Sequence, residues 1–365
     1  MAKMNRNESE VRLMKGNEAM AEAAIRVGIH AYFGYPITPQ SEVLEYLMEE
    51  MPEDGGVVLQ AESEVASINM VYGAAGAGTR VMTSSSSPGI SLMQEGISYI
   101  AAAELPCLIV NVNRGGPGLG TIQPSQGDYF QSVKGGGHGD YRLLVLAPNS
   151  VQEMVDFVFE GFRLAEKYRN PILLLADGAL GQMMEKVELP PAGSLPHVVP
   201  EWATRGKAAN RSQNIVTSLH IEPENMEKVN IHLQAKYETM KVEVRSESLN
   251  TEDAEIVLVA YGLSARIAEK ACDLAREKGI RAGLLRPITL FPYPEAAIGA
   301  LAESGNVENF LVLEMNAGQM VEDVRLAVNG RKPVHFYGRM GGMIPSPEDV
   351  LHEIEKIVEH SSVKA

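Results

Sequence analysis

The sequence predicts an α/β protein with a larger parallel-sheet domain over residues 1–186, a linker with a helical arm over 187–253, and a smaller α/β domain over 254–365. Three observations carry this expectation. Apolar runs without alternation, such as CLIVNVN (107–113), PILLLAD (171–177) and EIVLVAYG (255–262), read as strands buried on both faces. Segments of helical spacing separate these runs, and regular strand–helix alternation implies parallel sheets covered by helices. Between 187 and 253 the alternation stops: ELPPAGSLPHVVPEW is proline-rich, and IEPENMEKVNIHLQAKYETMKVEV contains at most one polar helix.

A chain of 365 residues that is 45% hydrophobic and 22% charged has the composition of a soluble globular protein with room for a large core. The polar start MAKMNRNESE and the lack of a bilayer-length apolar run predict no signal peptide, no membrane anchor and a cytoplasmic location. A net charge of −15 without a Lys/Arg cluster argues against nucleic acid as a partner. Cys107 and Cys272 form no CxxC pair, so the chain cannot by itself hold an iron–sulfur cluster or a structural zinc, and no metal site is expected. Both read as core residues.

Taken in order, residues 16–28 have helical spacing with Asn17 as a cap, followed by a strand AYFGYP (31–36). Pro36 and Pro39 bracket Thr38, hold the backbone extended and present its hydroxyl at a strand's C-terminal end, while Ser41 can cap the next helix. VVLQA (57–61) reads as a short buried strand, after which Glu64 opens a helix whose residues Val65, Ala66, Ile68, Met70, Ala74, Ala75 and Ala77 are small or apolar. A carboxylate at such a strand-to-helix junction either has a raised pKa and hands a proton to a ring nitrogen, or simply stabilises the helix dipole.

RVMTSSSS (80–87) is the next strand. Ser87 as cap with Pro88 at the first helical position makes a helix start whose N–H groups suit an anion or a polar ring. GAAGAG (73–78) closes a helix instead of following a strand, so its glycines read as close-packing positions and not as a dinucleotide loop. The strand CLIVNVNR ends on Arg114, which can fork onto a carboxylate or form a surface ion pair. Two glycine-rich loops follow, GGPGLGTIQPSQGDYF and KGGGHGDYR, and His138, flanked by four glycines in the second, is a candidate for polar contact or proton transfer. LLVLA (143–147), a helix from Ser150 to about Lys167 and PILLLAD complete the first domain. The C-terminal part reads as four strands and four helices without a phosphate loop, hence a packing and assembly domain.

Several of these stretches, in sequence order, carry a resemblance: YPITPQSE, QAESEVASINMVYGAAGAGTRVMTSSSSPGISLMQEG, NRGGPGLGTIQPSQGDY, GGGHGDYR, LAPNSVQE and KYRNPILLLAD. They resemble the α subunit of the thiamine diphosphate-dependent 2-oxoacid:ferredoxin oxidoreductases from about Lys15 through Asp177, and again in LRPITLFP and VLEMNAGQMVEDV. Within that family the pattern is nearest the branched-chain (2-oxoisovalerate, VorB-type) α chains, with the 2-oxoglutarate enzymes close behind. The resemblance implies a thiamine diphosphate pyrimidine-binding-type domain followed by a transketolase-C-terminal-like domain. It also implies residue roles. Glu64 would hydrogen-bond the aminopyrimidine N1′ and drive its tautomerisation, which favours the catalytic reading of that carboxylate. Thr38 and Arg114 would hold the substrate carboxylate, and Pro36, Ile37 and Ser87 would join Glu64 at the cofactor. His138 is carried as a catalytic candidate whose role the motif does not define.

The implied reaction is oxidative decarboxylation of a 2-oxoacid to acyl-CoA and CO₂, with coenzyme A as acceptor and electrons passing to ferredoxin, in anaerobic catabolism of branched-chain amino acids. The chain contains no GDG segment of the kind that clamps diphosphate and Mg²⁺. A β subunit is therefore expected to carry the diphosphate and Mg²⁺, and a ferredoxin-like subunit and a γ subunit to complete the complex, with iron–sulfur clusters on partner chains. Two other readings compete. A non-catalytic scaffold subunit is disfavoured by Glu64, Thr38 and Arg114 occurring together, and a non-oxidative decarboxylase by the absent GDG.

Overall fold

The computed structural model describes residues 6–207 and 211–362. Seven strands form the first sheet, in the order β12-β6-β7-β5-β4-β2-β3. In chain order these are β2 (Ala31–Gly34), β3 (Val57–Gln60), β4 (Val81–Ser85), β5 (Cys107–Asn113), β6 (Leu144–Leu146), β7 (Pro171–Asp177) and β12 (Thr289–Phe291). All pair in parallel except β12, which runs antiparallel to β6.

The central strand β5 shows why the run CLIVNVN carries no charge. Leu108, Val110 and Val112 face one core, with α1 (Gly16–Arg26), α2 (Ser41–Glu50) and α6 (Val151–Tyr168). Cys107 and Ile109 face the other, with α3 (Glu64–Gly76) and α4 (Ser87–Ala102). A strand covered on both faces has no position to give to a charge. Both cysteines are buried as expected, and burial pushes the Cys272 thiol up to about 12.

The second sheet, in the order β14-β13-β10-β11-β9, is parallel except for its edge β9. It comprises β9 (Ser246–Leu249), β10 (Ile256–Val259), β11 (Ala282–Pro287), β13 (Asn309–Glu314) and β14 (Val334–Gly338). One face carries α9 (Gly262–Glu277) and α12 (Pro347–Ser362); the other shares a continuous core with α3, α4 and the first sheet. Gln126 locks the two sheets together. Its side chain donates to Tyr261 O (2.8 Å) and accepts from Ser264 Oγ (2.7 Å) and Met315 N (3.0 Å), so every polar atom of a buried amide is used across the junction.

Local details differ from the sequence reading. The strand 57–61 lies at a sheet edge, with Val57 and Leu59 exposed instead of buried. Helix caps fall one or two residues earlier than expected, on Lys15, Gln40 and Ser86 in place of Asn17, Ser41 and Ser87. Asn17 is drawn away because its buried amide donates to Pro39 O and Glu42. The stretch 187–253 holds the helix α8 (Pro223–Met240), but also β9 and the end of β8 (Met184–Leu189), which pairs antiparallel with β1 (Glu10–Lys15). Among the described residues no helix is long and apolar enough to cross a membrane.

Candidate active site

The neighbouring parallel strands β3, β2, β4 and β5 end side by side, and the residues that follow each of them meet there. This is the edge where open parallel sheets bind ligands. Ser63 caps α3 by accepting from Ala66 N (3.2 Å), which places Glu64 at the first helical position. Glu64 is only 5% exposed, and no described residue donates a hydrogen bond to its carboxylate. Facing it is the first turn of α4. A Cβ at Gly89 would stand 2.5 Å from Glu64 Oε1 and closer still to Ser85 Oγ, so the absence of a side chain at Gly89 makes room for both.

The serine row at the end of β4 divides by task. Ser84 donates to Gln40 Oε1 (2.5 Å) and is hydrogen-bonded to the Tyr32 hydroxyl (2.6 Å). Among the described residues the Ser85 and Ser86 hydroxyls have no partner, nor do Gln40 Nε2 and Asn113 Nδ2, although all four atoms are buried. Each such orphan costs roughly 1–3 kcal/mol. Four of them gather around the ends of β4 and β5, a set of polar atoms that a polar ring could satisfy.

Ser87 is occupied differently from the expectation. Its amide donates to Asn111 Oδ1 (3.1 Å), and its hydroxyl lies 3.2 Å from both Asn113 Oδ1 and Arg114 O while accepting from Arg114 N (3.1 Å). It ties the start of α4 to the end of β5, and the open hydroxyls are those of its neighbours Ser85 and Ser86. Asn111 is in turn held by Asp128 (2.8 Å), whose carboxyl burial pushes above the usual range despite the hydrogen bonds from Ser87 and Asn111.

Arg114 and Thr38 are brought together, through the main chain: Arg114 Nη1 donates to Thr38 O (2.9 Å) and Nη2 to Leu119 O (3.2 Å). Both acceptors are neutral, and Arg114 has no carboxylate partner among the described residues. Its positive charge is therefore uncompensated at the site's rim. Pro36 and Ile37 lie on the same loop after β2, exposed and half-buried respectively.

His138 is not brought to this cluster. It is exposed, with Nδ1 3.5 Å from Ser98 Oγ and its ring edge-on to Tyr99. Ser98 follows Ser87 by eleven residues of the same helix, or about 16 Å of rise. Within one chain His138 and Glu64 do not share a site. Sequence reasoning also passed over Gln40, Asn111, Asn113 and Gly89. The two asparagines did leave a signal, as polar side chains at alternate positions of an otherwise apolar strand. Among the described residues no group of three or more His, Cys, Asp or Glu side chains is arranged to hold a metal ion.

Comparison with known proteins places this geometry. The family profile described as pyruvate flavodoxin/ferredoxin oxidoreductase, thiamine diphosphate-binding, matches residues 22–260, and that of pyruvate:ferredoxin oxidoreductase core domain II matches 254–350. The chain is 51% identical over 351 residues to the ketoisovalerate oxidoreductase subunit VorB of Methanothermobacter marburgensis, covering 96% of this chain and 99% of that one. It is 39% identical over 340 residues to the 2-oxoglutarate synthase subunit KorA of Archaeoglobus fulgidus, covering 91% and 96%. Among solved structures, the 2-oxoglutarate:ferredoxin oxidoreductase of Magnetococcus marinus, with 2-oxoglutarate, coenzyme A and succinyl-CoA bound, superposes with a TM-score of 0.82 at 28% identity. That match covers 95% of this chain and 65% of the other. A split-gene transketolase shares the fold alone, with a TM-score of 0.59 at 13% identity over 94% of this chain and 97% of that one.

Proposed function

The chain belongs to the pyruvate flavodoxin/ferredoxin oxidoreductase family, and from that premise we propose that it is the α subunit of a branched-chain 2-oxoacid:ferredoxin oxidoreductase. Its reaction is the oxidative decarboxylation of 2-oxoisovalerate to acyl-CoA and CO₂, carried out in the cytoplasm within a hetero-oligomer. The carrying observation is Glu64: a buried carboxylate without a hydrogen-bond partner among the described residues, at the start of a helix, opposite a glycine that leaves space before it.

That arrangement suits thiamine diphosphate, which when bound supplies the electron sink for breaking the bond to the carboxylate. Glu64 would hold a proton against the aminopyrimidine ring nitrogen, a task that benefits from low water access. The uncompensated charge of Arg114, with Thr38 beside it, would orient the substrate carboxylate. Pro36 and Ile37 would flank the ring from the loop after β2. His138, held at Ser98, could serve only a site formed with another chain. No GDG segment is present, so the diphosphate and Mg²⁺ belong to a β subunit, and the iron–sulfur clusters that pass electrons to ferredoxin belong to ferredoxin-like and γ subunits.

The 39% identity to KorA supports 2-oxoglutarate as a second substrate reading, and 51% identity to VorB ranks it below the first. The test is anaerobic, coenzyme A-dependent reduction of a viologen dye by the native complex with pyruvate, 2-oxoisovalerate, 2-oxoglutarate and an aryl 2-oxoacid. Preference for 2-oxoisovalerate is expected. Preference for 2-oxoglutarate would exchange the two readings. No reduction by a complex containing thiamine diphosphate and clusters would favour a scaffold role.

A further inference from the structure

The loop after Arg114 presents a leucine to solvent on a rigid support. Gly118 and Gly120 flank Leu119 with φ of 69° and 55°, a backbone region that favours glycine. The loop is closed by Thr121 N to Gly115 O (2.8 Å) and Gly115 N to Gln123 O (2.9 Å), and a Cβ at Gly120 would collide with Gly115 O. Behind it lies the stretch 338–345: a Cβ at Gly115 would be 2.9 Å from Gly342 N, and one at Gly342 would be 2.5 Å from Gln123 Cβ. Leu119 is nevertheless 83% exposed, and its carbonyl is held by the same guanidinium that holds Thr38. Leaving a leucine so exposed forgoes the burial of its apolar surface.

Apart from Arg114, the two segments around it offer no free charge and several apolar side chains. Residues 115–124 carry no charge. In 338–345 the one cation, Arg339, is paired with Asp349 at 3.8 Å. Ile122, Met340 and Met343 add exposed apolar side chains to the same two segments.

We propose that Leu119 is a specificity-determining residue, contacting the aliphatic tail of a 2-oxoacid whose carboxylate is held at Arg114. The inference rests on the function proposed above and deepens it by naming the tail that the rim accepts. An alkyl branch buries Leu119, whereas a second carboxylate would find no unpaired cation in these two segments beyond Arg114, already engaged with the first.

The experiment uses the whole complex carrying Leu119→Ala or Leu119→Arg, with kcat/KM measured on 2-oxoisovalerate, pyruvate and 2-oxoglutarate. Removing an aliphatic contact is worth about tenfold in discrimination. Leu119→Ala should therefore lower the 2-oxoisovalerate-to-pyruvate ratio by about tenfold, and Leu119→Arg should lower the 2-oxoisovalerate-to-2-oxoglutarate ratio by at least as much. Unchanged ratios, equal losses on all three substrates, or a variant chain that no longer co-purifies with its partners would overturn the proposal. In the last case Leu119 is an interface residue. A wild-type complex inactive on 2-oxoisovalerate would instead overturn the underlying function, a result visible before any variant is made.

Discussion

Glu64 and Gly89 face each other across the start of two helices: a Cβ on Gly89 would stand 2.5 Å from Glu64 Oε1. Glu64 reaches its position only because α4 begins with a turn that lacks a side chain there. Gly89→Ala should push the carboxylate aside at a stability cost of about 1–3 kcal/mol, typical of overpacking. Turnover should fall more than the melting temperature suggests. A variant with wild-type kcat would show that the approach of Glu64 and Gly89 has no part in activity.

Glu64→Gln keeps the shape and removes the proton. The complex should assemble normally and lose about 10²–10⁴-fold in kcat, the usual contribution of a positioned acid. Single-turnover kinetics at saturating substrate would measure this. Wild-type turnover would remove Glu64 from the mechanism.

Arg114→Ala should act mainly on KM for the 2-oxoacid, by about 10–100-fold, as expected for a charged hydrogen bond worth about 1.5–3 kcal/mol. The side chain also anchors Thr38 O and Leu119 O, so Arg114→Lys, which retains the charge but not the fork, should recover only part of the loss. An unaltered KM in the alanine variant would argue against carboxylate binding.

Asp177 caps α7 (Gly178–Gln182) by accepting from Ala179 N and Leu180 N, and burial at the junction of the two sheets raises its carboxyl from 3.8 to about 6. The folded state thus holds this proton more tightly than the unfolded one. Its contribution to stability is greatest below pH 3.8 and declines as pH rises to about 6, by about 3 kcal/mol in all for a shift of this size. Asp177→Asn keeps the accepting oxygen without the titration. Relative to wild type, the variant should gain stability steadily between pH 4 and pH 7 in thermal or urea unfolding. Parallel pH profiles would contradict the assignment.

Much of the architecture was legible because it is local. Runs such as CLIVNVN and PILLLAD must lie between two apolar layers, and helical spacing between them leaves parallel pairing as the consistent solution. Ser63 before Glu64 is likewise a local signal, since a serine at that point caps a helix wherever the chain goes. The places of Thr38, Glu64 and Arg114 beside strand ends could be read in the same way.

Which strand ends meet could not. The order β12-β6-β7-β5-β4-β2-β3 puts β5, β4, β2 and β3 in a row, and this adjacency joins Arg114, after β5, to Thr38, after β2, and Glu64, after β3, to Gly89, after β4. Strand order is settled by packing between residues far apart in sequence, as is the recruitment of Thr289–Phe291 from the C-terminal half to the first sheet's edge. The same holds for polar side chains. Whether Ser87 offers its hydroxyl to a ligand or spends it on Arg114, and whether His138 meets Glu64 or Ser98, depends on which partners the tertiary fold brings within 3–3.5 Å. The sequence by itself determined the alternation of elements and the chemistry available at their ends; only the tertiary structure decided which of those groups share a site, because hydrogen bonds and close packing act over distances that sequence spacing does not encode.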